Sequence, residues 1–156
     1  MGTKMIRLVL EENGSNHDDL VLKYPGSEHR CDTYFIVLDE TSGVDEVSTM
    51  ALRRAIRALL TEWLTAVEEA QDVDTLYLPF DFSDQCTAWI RCEFKNVNVT
   101  LDIGWSLIEG WSFSPKNIRD IVRKVSDFQA IENASPIEVE RSLFLETIRN
   151  NLREFE

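Results

Sequence analysis

With 156 residues, 44% hydrophobic and 28% charged, the chain has the composition of a single globular domain, not of a disordered segment. Its net charge of −12 disfavours nucleic acid and anionic membranes as partners, since a field of that sign repels both, and it attracts basic proteins. No apolar run approaches the roughly 18 residues of a membrane span, and no signal-peptide core follows Met1, so a soluble protein of the bacterial cytoplasm is expected.

In chain order, Met5–Glu11 is rich in β-formers and predicts a first strand, followed by the turn cluster Glu12-Asn13-Gly14-Ser15-Asn16. Asp19–Tyr24 places Leu20, Leu22 and Tyr24 on one face and ends at Pro25-Gly26, a second strand. Thr33–Asp39 contains the unbroken run Tyr34-Phe35-Ile36-Val37-Leu38 and predicts a third strand, buried on both faces. A long helix is predicted over about 45–70, with Asp45 and Glu46 at its positive end. Its apolar stripe is Leu52, Ile56, Leu59, Leu60, Trp63 and Val67, with Arg53, Arg54 and Arg57 on the solvated side.

Three more strands follow by alternation: Leu76 to Phe82, Ala88 to Lys95 and Val97 to Trp105. Trp89, Arg91, Glu93 and Lys95 alternate with the apolar set and predict a wet outer face. Ser114-Pro115 looks like a helix start, with Ile118, Ile121, Val122, Val125 and Phe128 as its stripe. Ser135-Pro136-Ile137-Glu138 has the spacing of a capping box and predicts a last helix through Leu145, Ile148, Leu152 and Phe155. The expected fold is α+β in the order βββ-α-βββ-αα. It is one domain over residues 1–156, a mostly antiparallel six-stranded sheet with three helices packed on one face.

The chemistry-bearing residues do not assemble into a recognisable catalytic set. Cys31, Cys86 and Cys92 lack C-x-x-C spacing and are expected to be free core thiols. His17 and His29 are twelve apart among turn residues, unlike a metal-binding helix pair, and are expected to be exposed in loops. Asp81 and Asp84 flank a turn, where aspartate commonly bonds its own backbone, although both are also candidate acid/base groups. No phosphate loop, dinucleotide fingerprint or nucleophile elbow is present. No enzyme, metal or cofactor is expected.

Two features point instead to a protein partner. Residues 11–46 carry ten acids against Lys23 and Arg30, whereas residues 115–156 carry eight acids and seven bases. From this segment Asp18, Asp19, Asp39, Glu40, Asp45 and Glu46, with Asp81 and Asp84 further on, are the candidate contacts for a basic partner. The tripeptide Gly-Trp-Ser occurs twice, at Gly104–Ser106 and Gly110–Ser112. Trp105 and Trp111 could anchor a partner or plug the gap between sheet and helix; packing in the core is the weightier expectation.

The stretch Leu76–Ile118 includes Trp89, the meander and Phe113-Ser114-Pro115-Lys116-Asn117-Ile118. It resembles the immunity proteins of bacterial contact-dependent growth inhibition and related polymorphic-toxin systems. That resemblance implies a cognate protein toxin as partner, a basic nuclease among the possibilities, neutralised by occlusion. It carries over no individual binding residue. Two alternatives remain open at this point, a small enzyme and an accessory protein-interaction subunit.

Overall fold

The computed structural model describes residues 6–12, 14, 19–33, 35–37 and 49–156. Two antiparallel sheets and two α-helices make up these residues. The smaller sheet has the order β1 (Arg7–Glu11), β2 (Asp19–Tyr24) and β3 (Ser27–Cys31). Its second hairpin turns on Pro25-Gly26: proline presets φ at the first corner, and Gly26 supplies the φ of +84° needed at the second. The larger sheet is a meander of β4 (Thr75–Phe82), β5 (Thr87–Lys95) and β6 (Asn98–Ser106). β6 is then paired over one half by β7 (Gln129–Ala130) and over the other by β8 (Ile137–Glu140).

Helix α1 (Thr49–Glu69) buries the whole anticipated stripe, from Leu52 to Val67. Trp63 also donates its indole N–H to the Pro79 carbonyl at 2.9 Å, beside the irregularity in β4 between Pro79 and Asp81. Helix α2 (Arg141–Arg153) contributes Phe144 and Ile148 to the same core, which also receives Leu8, Leu20 and Leu22 from the small sheet and Leu78, Ile90 and Leu101 from the large one. The two sheets are tied by Tyr24, whose hydroxyl donates to the carbonyls of Leu101 and Ser135; burial pushes its pKa up to about 12. Arg141 donates to the last carbonyls of α1, Val67 and Glu68, where a cation also suits the helix dipole.

Several expectations are corrected. The third strand is Ser27–Cys31, not Thr33–Asp39; Phe35–Val37 is a single 3-10 turn, and Leu38 and Asp39 lie outside the described residues. The hairpin turn at Pro25-Gly26 pairs β3 with β2 immediately, and a buried apolar run alone does not distinguish strand from turn. The strands form a three-stranded and a five-stranded sheet, not one sheet of six.

The segment after Ser114-Pro115 is a chain of turns, although Ile118, Val122 and Val125 are buried as anticipated. Its backbone groups go elsewhere: the Val122 carbonyl accepts from Tyr77 N at 2.8 Å, and Ile118 N donates to Glu62 at 3.0 Å. Ser135 caps no helix. Ile137 and Val139 alternate with Glu138 and Glu140 as β8, and α2 begins only at Arg141. Arg53 lies off the buried stripe as expected, and from there it sits over the Phe155 ring and donates to the Glu154 carbonyl at 2.9 Å.

The outer face of the large sheet is covered at one end. Trp89 is fully buried, stacked on Phe113 at 5.6 Å with its N–H on Ser106 Oγ at 2.8 Å. Phe128 packs on Tyr77 and lies under the Arg91 guanidinium at 4.7 Å. Gly104 makes this possible, since a Cβ there would collide with the Phe128 ring and the Gln129 carbonyl. Phe113 and Phe128, at the two ends of the segment expected to lie as a helix on the inner face, therefore cover part of the face expected to be wet, while Ile118 and Val122 between them join the core.

Candidate partner-binding surface

The end of β6 and the loop after it present apolar side chains outward from a closely bonded backbone. Leu107 N donates to Asp127 at 2.8 Å, Thr87 Oγ1 donates to the Ile108 carbonyl at 2.7 Å, and Ser112 Oγ donates to the Glu109 carbonyl at 2.7 Å. Gly110 presses against the 81–86 loop: its N–H donates to the Ser83 carbonyl at 2.8 Å, and a Cβ would strike the Phe82–Ser83 backbone. The loop 81–86 is itself pinned, with the Ser83 N–H and hydroxyl both directed to the Cys86 carbonyl.

Out of this scaffold project Trp105, Leu107 and Trp111, which are 38%, 68% and 51% exposed. The core-packing expectation for the two tryptophans is thereby corrected. Phe113, two residues after Trp111, is the aromatic residue of this stretch that packs, against Phe82 and Trp89. The register places Asp81, Ala88 and Trp105 side by side across β4, β5 and β6, so Asp81 and Trp105 share one face of the sheet. Asp84 and Glu109 are exposed on the two adjoining loops, and neither 81–86 nor 106–114 contains a lysine or arginine.

Asp81 is the electrostatically unusual group. Burial raises its pKa to about 6, against the opposing effect of the Asp32 N–H, which donates to Oδ1 at 2.8 Å. The same burial, with Asp81 nearby, pushes the Cys31 thiol up, so it stays protonated and is a poor nucleophile. His29 is a β3 residue and not an exposed loop residue. Its Nε2 lies 3.1 Å from Ser27 Oγ, its ring tilts against Phe80, and burial lowers its pKa. His17 lies outside the described residues. Among the described residues no group of three or more histidine, cysteine, aspartate or glutamate side chains is placed to hold a metal ion.

The comparisons with known proteins are sparse. No family model matches the chain, and no curated protein matches it. Among solved structures, 97% of the chain aligns with 98% of a chain in the CdiA-CT/CdiI toxin and immunity complex from Enterobacter cloacae, at 11% identity and a TM-score of 0.49.

Of the residues singled out from sequence, Asp81, Asp84, Trp105 and Trp111 are brought to one end of the large sheet. Asp19 is not among them: it lies on the small sheet, 2.8 Å from Arg30. Asp18, Asp39, Glu40, Asp45 and Glu46 lie outside the described residues. Leu107 and Glu109 were missed. Their signal was the spacer between the two Gly-Trp-Ser repeats, Leu107-Ile108-Glu109, which has two apolar residues and an acid but no cation.

Proposed function

We propose that this chain is an immunity-type protein that binds a basic bacterial toxin domain and neutralises it by occlusion, without turnover or cofactor. The observation that carries this reading is the exposure of three large apolar side chains, Trp105, Leu107 and Trp111, at one end of the large sheet. They stand on or beside a bonded loop, with Asp84 and Glu109 exposed on the 81–86 and 106–114 loops and no cation in either loop. Aromatic side chains on a preorganised backbone are the usual anchors of an interface, and a rim of one charge selects a partner of the other. The likeness between Leu76–Ile118 and immunity proteins agrees with it, except that the Ser114-Pro115 helix start is replaced by turns.

The test is co-expression with the toxin domain encoded beside its gene. Growth is expected to be restored, and a stoichiometric complex to co-elute in size-exclusion chromatography. Replacing Trp105 and Trp111 together by alanine should abolish both. A toxin that stays lethal and unbound overturns the proposal.

A second reading, a small enzyme, has the raised pKa of Asp81 as its one supporting observation. Turnover of any substrate that is lost in Asp81→Asn, with the fold intact, would favour it.

A further inference from the structure

Among the described residues, the edges at β1 and β4 are covered and the edge at β3 is open. At β1, the buried Asn151 side chain acts as a substitute strand, accepting from Leu8 N at 2.8 Å and donating to the Leu8 carbonyl at 2.9 Å. At β4, Tyr77 N is taken by the Val122 carbonyl. Among the described residues β3 has no such cover. In its hairpin with β2, Tyr24 and Ser27 flank a two-residue turn, so the ladder bonds fall at Ser27, His29 and Cys31. The N–H and C=O groups of Glu28 and Arg30 therefore point away from β2, and among the described residues no backbone hydrogen bond outside the sheet reaches them. The side chains of both residues are more than half exposed, at 56% and 63%.

We propose that the β3 edge pairs with the β3 edge of a second copy of this chain, antiparallel about a two-fold axis through His29. Only one register satisfies both the backbone and the charges. With His29 opposite His29 of the second copy, Glu28 faces Arg30 and Arg30 faces Glu28, and four backbone hydrogen bonds form. A shift of two residues in one direction sets Glu28 against Glu28; in the other it sets Arg30 against Arg30, and like charges directly opposite are unfavourable. β8 shows the contrast. Its exposed acids, Glu138 and Glu140, have the same parity, so any register pairing two copies there opposes glutamates. The β3 edge is self-complementary where β8 repels itself. The strand is five residues long, so the dimer is small and concentration-dependent.

This association goes beyond the proposed function and uses another part of the molecule. Sedimentation equilibrium of the full chain should show a monomer–dimer equilibrium that Glu28→Arg abolishes and the double exchange Glu28→Arg with Arg30→Glu restores. Because those side chains also bond Lys23 and Asp19 within the chain, a second measurement fixes the register. Under mild oxidation His29→Cys should give a covalent dimer, since the central pair faces at about 4.5 Å between Cα atoms, within disulfide reach. Glu28→Cys should give none, because its symmetry mate lies two residues along and beyond about 7 Å. A monomer at all concentrations, or equal cross-linking of the two cysteine variants, overturns the proposal. So does protection of the β3 amides from hydrogen exchange only when a basic toxin domain is added, which would assign the edge to that partner.

Discussion

Asp81 shows how one side chain can make stability depend on pH with the less familiar sign. Its pKa of about 6 in the folded chain lies above the ordinary carboxyl value of 3.8, because burial penalises the carboxylate more than the Asp32 N–H rewards it. A group raised in this way contributes fully below about pH 4, and its contribution is lost as pH rises through 6. Asp81→Asn keeps an oxygen for the Asp32 N–H and removes the charge. The variant is therefore expected to match the wild type near pH 3.5 and to exceed it at pH 7.5, by about 1–2 kcal/mol after allowance for partial exposure. Urea titrations at the two pH values measure this; a variant less stable at pH 7.5 would show that the charged form is the favoured one. Gly104 works by absence. A methyl group there meets Phe128 and the Gln129 carbonyl, and the carbonyl belongs to backbone that cannot rotate aside. Gly104→Ala should cost about 1–3 kcal/mol, read as a lower urea midpoint, and a neutral result would mean that the 128–130 segment shifts freely.

Among the elements, those with a repeating apolar pattern were legible in the sequence and those defined by a partner were not. β2, α1, β5 and β6 each carry a period of 2 or 3.6, as β4 does up to its irregularity between Pro79 and Asp81, and Leu20, Leu52 and Ile90 are buried as that period demands. Phe35-Ile36-Val37 has no period, and it forms a 3-10 turn. Ser114-Pro115 and Ser135-Pro136 are real stop signals, but a capping residue announces a helix only if the following carbonyls stay within it. Val122 gives its carbonyl to Tyr77, and Ile137–Glu140 pairs with β6. The same dependence on distant partners hid Asn151, an amide in the last turn of α2, 143 residues from the strand residue it bonds. Asn151→Ala would leave the Leu8 N–H and C=O buried without partners. A loss of about 2–4 kcal/mol is expected, visible in thermal and urea unfolding, with the α2 helix otherwise retained. A loss under 0.5 kcal/mol would mean that water replaces the amide at this edge.

For the whole molecule, charge and shape are expected to govern different steps of binding. The net charge of −12 creates a field felt before contact, and it is screened over roughly 8 Å at physiological ionic strength. The ion pairs on the small sheet, Lys23 with Glu11 and Glu28 and Arg30 with Asp19, partly neutralise that end. The 81–86 and 106–114 loops have no such compensation within them, and Asp84 and Glu109 are expected to draw a basic domain towards the exposed tryptophans. Charge reversal at the rim, Asp84→Lys with Glu109→Lys, should therefore slow association by roughly tenfold at low salt and matter less as salt rises. Trp111→Ala should instead raise the dissociation rate by roughly tenfold or more and leave the salt dependence of association unchanged, because an apolar anchor acts only once water has been excluded. Surface plasmon resonance against the neighbouring toxin domain at two ionic strengths separates the two effects. If both variants changed only the off-rate, the rim would be a set of direct contacts and the long-range field would contribute nothing to encounter.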